Sequence, residues 1–154
     1  MSNPAESALA AYADIAVQVG ANVQPGQHLV VRADLRVAPL VRAITRSAYQ
    51  AGARLVHVFY DDESLTLARF QHAPRDSFGE FPTWKVRAQA DLIDAGAALI
   101  SIASGDPDLL RGQDQALISQ SQQTAAHLSQ PLSARITRPA VNWLVIAAPS
   151  PGWA

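Results

Sequence analysis

The chain has 154 residues, of which 49% are hydrophobic and 16% charged, and its formal net charge is −1. This length fits a single globular domain, and the balanced charge argues against the basic stripe that nucleic-acid-binding proteins carry. The sequence has no cysteine, which excludes disulfides, thiolate nucleophiles and cysteine-based metal sites.

The amino-terminal segment leads into the first predicted helix. It carries the acids Glu6 and Asp14 and no basic residue before its apolar part, which excludes a signal or transit peptide. No apolar run approaches the roughly 20 residues that a membrane-spanning helix needs. We therefore expect a cytoplasmic protein without nucleic-acid or membrane partners.

Hydrophobic periodicity predicts that helices and strands alternate along the chain. The predicted strands cover residues 28–33, 54–60, 97–103 and 142–148. The predicted helices cover residues 5–19, a stretch closed by Gly52, residues 61–70, residues 82–95, and a stretch capped by Asp114 that Pro131 kinks or restarts. The first helix is expected to bury Leu9, Tyr12, Ala16 and Val19, and the fourth Trp84, Ala88, Leu92 and Ala95. The expected apolar face of the second helix is formed by Val37, Leu40, Val41, Ile44 and Ala48.

A strand, a helix and a second strand joined by a short glycine-containing return require a right-handed parallel crossover. The predicted fold is α/β: a three-layer sandwich in which a mainly parallel sheet of about four strands has helices on both faces, as in flavodoxin-like or Rossmann-like folds. We expect the strand order 2-1-3-4 and a single domain over residues 1–154. The last strand is nearly all apolar, which is typical of a strand buried on both faces. Near-complete burial is expected for Val30, Val56, Val58, Ile100, Ile102, Leu144 and Ile146.

Acidic residues follow three of the predicted strands and would gather at the carboxyl edge of the sheet. They are Asp34, Asp61, Asp62, Asp106 and Asp108. Each can cap the helix that follows it, because a carboxylate accepts the unpaired N–H groups of a first turn. Alternatively, the cluster could bind Mg²⁺ through oxygen ligands. The only lysine, Lys85, lies on a helix, so no lysine follows a strand to bind a phosphoryl group.

The remaining polar residues do not form a recognisable catalytic motif. The four histidines are His28, His57, His72 and His127. None is spaced in sequence as a metal-binding pair, and we expect each to be structural. The serines lack the G-x-S-x-G elbow of hydrolases. The residues alone thus predict an α/β domain without a visible active site.

Several stretches, in order along nearly the whole chain, resemble the amino-terminal domain of the aminopeptidase T family of thermophilic metallo-aminopeptidases. The matching stretches are YADIAVQVGANVQPGQHLVV (12–31), APLVRAITRSAYQAGARLVHVFYDD (38–62), LISIASGDPDLLRG (99–112) and NWLVIAAPSPGWA (142–154). The first and last of these are the most specific to the family.

The resemblance implies a hydrolase that removes N-terminal residues from peptides with two divalent metal ions, which can be zinc, cobalt or magnesium. In that family the ligands are Glu, His and Asp residues of a carboxyl-terminal domain, and no position of this chain matches one. We therefore assign no catalytic or metal-binding residue here, and the substrate-binding residues remain unknown. The chain is expected to be an inactive part of a longer enzyme. Its expected partners are the peptide substrate, the missing catalytic domain and a second copy.

Two other interpretations stay open at this point. One is a small flavodoxin-like module that binds Mg²⁺ or phosphate through the acidic strand ends. The other is a protein-interaction scaffold, which a large exposed apolar patch would indicate. If the chain is part of a longer enzyme, Trp153 is expected to be partly exposed or to pack against another molecule, and the carboxyl edge to form an open concave wall without metal.

Overall fold

A computed structural model of the chain describes residues 4–149. Its strands are β1 (His28–Asp34), β2 (Leu55–Asp61), β3 (Ala98–Ala103) and β4 (Trp143–Ala147). Its helices are α1 (Pro4–Asp14), α2 (Ala38–Gln50), α3 (Glu63–His72), α4 (Thr83–Asp94) and α5 (Gln115–Ile136). All neighbouring strands pair in parallel in the order β2-β1-β3-β4. The predicted fold class and strand order are therefore confirmed.

Helices α1 and α2 cover one face of the sheet. Leu29, Val31 and Ile100 point to this side and are fully buried in the larger core cluster. Helix α2 contributes the apolar face that its periodicity predicts, including the fully buried Ile44.

The buried face of the first helix differs from the prediction. Helix α1 continues as a π-helical segment from Ile15 to Gly20, and a π turn holds more residues than an α turn. The buried positions are consequently Ala13, Ala16 and Val17. Val19 is instead 74% exposed, and Tyr12 is exposed while its hydroxyl donates to the carbonyl oxygen of Ala147 at 2.9 Å.

Helices α4 and α5 cover the opposite face. Val30 and Leu99 point to this side and pack with Val86, Ile93 and Leu132 of the two helices. The predicted face of α4 was wrong, because its buried residues are Val86, Gln89, Ala90 and Ile93. Trp84, which the prediction placed in the core, is 59% exposed. Helix α4 has apolar or small residues on two sides, so its sequence does not decide between them.

The outer strands are less buried than predicted. Val30, Ile100 and Ile102 of the central strands are buried as expected. In β2, however, Val56 is only partly buried and Val58 is 36% exposed. In β4, Leu144 and Ile146 are partly buried against the core, whereas Trp143 and Val145 on the other face are exposed. The expectation that β4 is buried on both faces was wrong, because β2 and β4 lie at the two edges of the sheet.

Helix α5 runs unbroken through 22 residues with Pro131 inside it, so the predicted restart does not occur. Near the end of α5, two arginines form ion pairs with Asp94. Arg135 Nε lies 2.8 Å from Asp94 Oδ2, and Arg138 Nη1 lies 3.0 Å from Asp94 Oδ1. No helix within residues 4–149 is both long and apolar enough to cross a lipid bilayer. The prediction about Trp153 falls outside the described residues.

Candidate functional site

The carboxyl edge of the sheet is the first place to look for a site. In open α/β sheets, ligands bind outside the carboxyl ends of the strands where the strand order reverses. Here that point lies between β1 and β3, the two central strands. Three segments meet there: the 3₁₀ turn Leu35–Val37 after β1, the start of α3, and the loop after β3.

An ion-pair network fills this point. Arg36 Nε lies 2.8 Å from Asp34 Oδ1, and Arg36 Nη2 lies 2.5 Å from Glu63 Oε2. The second contact is an ion pair without hydrogen-bond geometry, because the buried Glu63 Oε2 has no hydrogen-bond partner among the described residues. Arg36 Nη2 also donates to the carbonyl oxygen of Ser104 at 3.2 Å. Glu63 Oε1 accepts the N–H of Asp106 at 2.7 Å. The charges at the reversal point thus bind one another.

The electrostatics of Asp34 follow from these contacts. Partial burial raises the pKa of its carboxyl. The hydrogen bonds from the Arg36 side chain and N–H, the N–H of Glu63 and the charge of Arg36 together outweigh burial, so the pKa of Asp34 is below its ordinary value. The same pairing raises the pKa of Arg36. The pair is therefore ionised, and Asp34 is a poor candidate for a general acid or base near neutral pH.

The acidic residues singled out in the sequence mostly act as caps, as the first interpretation predicts. Asp34 accepts the N–H of Arg36 at 2.9 Å, and Asp62 accepts the N–H of Ser64 at 2.8 Å at the start of α3. Asp106 accepts the N–H of Asp108 at 2.8 Å.

Two of these acids form ion pairs instead. Asp108 pairs with Arg111 at 2.7 Å. Asp61 pairs with Lys85 Nζ at 3.0 Å rather than capping α3. The surface beside these residues consists of two open grooves, one of about 560 Å³ next to Asp61 and one of about 470 Å³ next to Asp106.

One contact, between His28 and His57, could not be predicted from the sequence. His28 Nδ1 and His57 Nε2 lie 3.0 Å apart, and the two rings stack with their centroids 5.2 Å apart. Burial, followed by the charge of His28, lowers the pKa of His57. The two residues are 29 positions apart and meet only because the parallel register places His57 beside Val30, on the face that His28 shares. The expectation that each of these histidines is structural stays a prediction, but the two side chains are in contact with each other.

A metal centre would need several His, Asp or Glu side chains close to one another. Among residues 4–149, no three His, Asp or Glu side chains come together in an arrangement that fits a metal ion. The described residues therefore do not fit the two-metal centre that the family resemblance implies, and we derive no chemical step through a metal on this chain.

Comparison with known proteins completes the description of the site. The model of the family described as thermophilic metalloprotease (M29) matches residues 5–154. The chain is 42% identical over 149 residues to Aminopeptidase 2 of Geobacillus stearothermophilus, a match that covers 97% of this chain and 36% of that protein. It is 39% identical to Aminopeptidase AmpS of Bacillus subtilis, covering 93% of this chain and 35% of the relative.

Among solved structures, the fold matches wild-type AmpT from Thermus thermophilus with a TM-score of 0.92 and 29% sequence identity. That match covers 96% of this chain and 37% of AmpT. The chain thus spans about a third of the length of the curated relatives it matches.

Proposed function

The chain belongs to the thermophilic metalloprotease (M29) family, and from this membership we propose that it is the non-catalytic α/β part of a metal-dependent aminopeptidase. In this proposal the whole enzyme removes N-terminal residues from peptides. The observation that carries the proposal is the match to relatives called aminopeptidases over nearly all of this chain but only about a third of their length. The internal pairing of Arg36 with Glu63 supports it, since these charges are used for structure.

In the proposed division of labour, the two divalent metal ions are bound by residues of the enzyme outside this chain. Such paired ions activate a water molecule and polarise the scissile carbonyl group. The carboxyl edge of the sheet, with its grooves next to Asp61 and Asp106, would form one wall of the substrate cleft. This chain would then contribute the shape of the cleft and not the chemistry.

The proposed partners follow from the same division. They are the peptide substrate and the catalytic part of the enzyme, and a cytoplasmic location fits both. The homodimer and the assignment of residues 1–154 to one domain stay predictions. Sedimentation of the purified chain tests the first, and limited proteolysis tests the second.

The central experiment uses a chimera. This chain replaces the matching segment of Aminopeptidase 2, to which it is 42% identical, and leucyl-p-nitroanilide hydrolysis is measured with added Co²⁺ or Zn²⁺. We expect the chimera to hydrolyse the substrate and the 154-residue chain alone to show no metal-dependent turnover. The matched control is the rest of Aminopeptidase 2 without the replaced segment, which we expect to be impaired.

Two results would contradict the proposal. Turnover that purifies with the isolated chain and disappears on addition of a chelator would mean that the chain itself is catalytic. A folded chimera without activity, beside an active parent, would mean that this chain cannot take the place of the relative's segment.

A further inference from the structure

Strand β4 forms one edge of the sheet. It pairs with β3 on one side, and no strand among the described residues lies on the other. The ladder with β3 uses alternate residues of β4, from the carbonyl oxygen of Asn142, which accepts the N–H of Leu99 at 2.9 Å, to the N–H of Ala148. Because alternate residues of a strand direct their backbone groups to opposite sides, those of Trp143 and Val145 point away from the sheet.

The outward backbone groups of β4 are free along most of the strand. At its carboxyl end, the carbonyl oxygen of Ala147 accepts a hydrogen bond from the hydroxyl of Tyr12 at 2.9 Å. The N–H and C=O groups of Trp143 and Val145 have no hydrogen-bond partner within the part of the chain that the structure describes. A row of free groups of this kind is a template for pairing with a further strand.

The sequence of β4 lacks the features that protect an edge strand from pairing. Such strands usually carry a lysine or another charge, a proline, or a bulge. Strand β4 reads WLVIA, without a charge or a proline, and it pairs with β3 in an unbroken register. The strand at the opposite edge, β2, carries His57 and Asp61. The unprotected edge of the sheet is therefore that of β4.

Exposed apolar side chains flank this edge on both faces of the sheet. On the face that α4 and α5 cover, Trp143 is 47% exposed and Val145 is 56% exposed. On the other face, the π-helical segment that packs against β4 exposes Ile15 and Val19. Large apolar side chains gathered around an unpaired edge indicate a surface that another element covers.

The handedness of the fold indicates which kind of element fits this edge. The connections from β2 to β3 and from β3 to β4 run in the same direction across the sheet, and they place α4 and α5 on one face. Parallel crossovers are right-handed, so a strand added beyond β4 in this direction brings its helix to the same face. Trp143 and Val145 lie on that face and are exposed. A unit of one strand and one helix would therefore pair with the free backbone groups and cover both side chains.

We propose that the outer edge of β4 binds a strand and a helix from the part of the enzyme that lies outside this chain, so that the sheet continues into that part. The inference rests on the proposed function, because its occupant is a segment of the whole aminopeptidase. The relatives support this occupant, since the chain covers only 36% of Aminopeptidase 2 and 35% of AmpS, and the remainder is long enough to supply both elements. In the proposal the backbones of Trp143 and Val145 pair with the added strand, and their side chains pack under the added helix.

The test is hydrogen–deuterium exchange of single backbone amides, followed by mass spectrometry with residue resolution. It compares the 154-residue chain alone with the chimera that joins this chain to the remainder of Aminopeptidase 2. We expect the amides of Trp143 and Val145 to exchange freely in the chain alone. In the chimera they should exchange at least about a hundredfold more slowly, because a paired amide exchanges only when the pairing opens. The amides of Leu144 and Ile146, which face β3, are the internal control and should be protected in both proteins.

A pair of variants separates the proposed interface from general effects on the fold. Val145→Lys places a charge under the proposed helix. The matched control is Leu55→Lys, because Leu55 begins the opposite edge strand, is 44% exposed and lies on the same face of the sheet. In the chimera, Val145→Lys should speed the exchange of the Trp143 amide about tenfold, since a buried charge weakens the packing. Leu55→Lys should leave that exchange unchanged, and circular dichroism verifies that each variant is folded.

Three results overturn the proposal. Slow exchange of Trp143 and Val145 in the monomeric chain would mean that the chain covers its own edge. Slow exchange that appears only as the concentration of the chain rises would mean that a second copy occupies the edge. Equally fast exchange in the folded chimera, or at the equivalent amides of intact Aminopeptidase 2, would mean that no strand pairs there.

Hydrolysis of leucyl-p-nitroanilide by the same chimera keeps this inference separate from the proposed function. An active chimera with unprotected amides at Trp143 and Val145 overturns the interface and leaves the proposed function standing. An inactive chimera in which these amides are protected supports the interface and contradicts the proposed function.

Discussion

Arg36 and Glu63 form an ion pair at the point where the strand order reverses, with Nη2 and Oε2 2.5 Å apart. The pair connects the turn after β1 with the start of α3, and Glu63 connects in turn to the loop after β3 through the N–H of Asp106. Gly105 belongs to this packing, because a Cβ at that position would lie 3.3 Å from Glu63 Oε1. The Glu63 carboxylate therefore connects two neighbouring segments of the carboxyl edge, the turn after β1 and the loop after β3.

The first prediction concerns that carboxylate. We expect Glu63→Ala to lower the free energy of unfolding by about 2–3 kcal/mol, since it leaves the Asp106 N–H without its acceptor and the Arg36 guanidinium with only one of its two carboxylate partners. Glu63→Gln keeps an oxygen for the N–H and loses only the charge, so its cost should be about half as large. Urea unfolding followed by circular dichroism measures both values. A matched exposed pair is Arg75 with Asp114, 3.2 Å apart, and Arg75→Ala should cost less than about 1 kcal/mol. Equal costs for Glu63→Ala and Arg75→Ala would contradict the prediction.

The second prediction concerns Gly52, which follows the end of α2. Its φ is +95°, and a Cβ there would lie 3.1 Å from the Cα of Pro25. Gly52→Ala should therefore lower the free energy of unfolding by about 1–3 kcal/mol, because the backbone is strained and Pro25 cannot rotate away. The control is Gly79→Ala, where φ is ordinary and the nearest atom is 3.6 Å away. That variant should be neutral or stabilise by up to about 1 kcal/mol. Similar losses at both glycines would mean that conformation does not explain the requirement at Gly52.

The third prediction concerns the pH dependence of stability through the contact between His57 and His28. Burial and the charge of His28 hold the pKa of His57 below its ordinary 6.5 in the folded chain. The unfolded chain therefore binds the proton first as the pH falls. The contribution of neutral His57 to the free energy of unfolding is complete above about pH 6.5. It is lost as the pH falls from there through the pKa of His57 in the folded chain.

The measurement is urea unfolding of the chain at several values between about pH 5 and pH 7.5, a window that lies above the ordinary carboxyl pKa values. His57→Gln should flatten the loss of stability on the acid side. His127→Gln is the control, since His127 is exposed on α5, and it should keep the wild-type dependence. If the free energy of unfolding of His57→Gln fell more steeply with decreasing pH than that of the wild type, the prediction would be contradicted.

The sequence predicted a feature of the fold correctly wherever the residue pattern was compatible with only one arrangement. Leu40, Val41, Ile44 and Ala48 of α2 recur at helical spacing, and all four are buried. The acids after the strands are mainly caps. This role is predictable from the sequence because a capping carboxylate accepts backbone N–H groups only two or three residues further along the chain. Tertiary geometry decided the rest. The π turn after Asp14 rotated Val17 into the core in place of Val19.

Long-range features of the site were beyond the sequence for the same reason. The contact of His28 with His57 depends on the register of β1 against β2, which no local pattern fixes. Arg36 belongs to no recognisable sequence motif. Its role is evident only in the folded chain, where α3 and the loop after β3 come together around it. The burial of Gln89 depends on which face of α4 packs against the sheet, and that face was predicted wrongly.

The last prediction tests the correction made to strand β4. Leu144 packs against the larger core cluster and lies close to the backbone of Gly20, where an added Cβ would meet its Cδ2 at 2.5 Å. Val145 points to the other face and is 56% exposed. Leu144→Ala should lower the free energy of unfolding by about 2–3 kcal/mol, as expected for a partly buried leucine. Val145→Ala should cost less than about 1 kcal/mol, most of it from the lower strand propensity of alanine. Urea unfolding of the two variants in parallel makes the comparison, and strand propensity affects both. If Val145→Ala cost as much as Leu144→Ala, β4 would be covered on both faces in solution, as the apolar sequence of this strand first suggested.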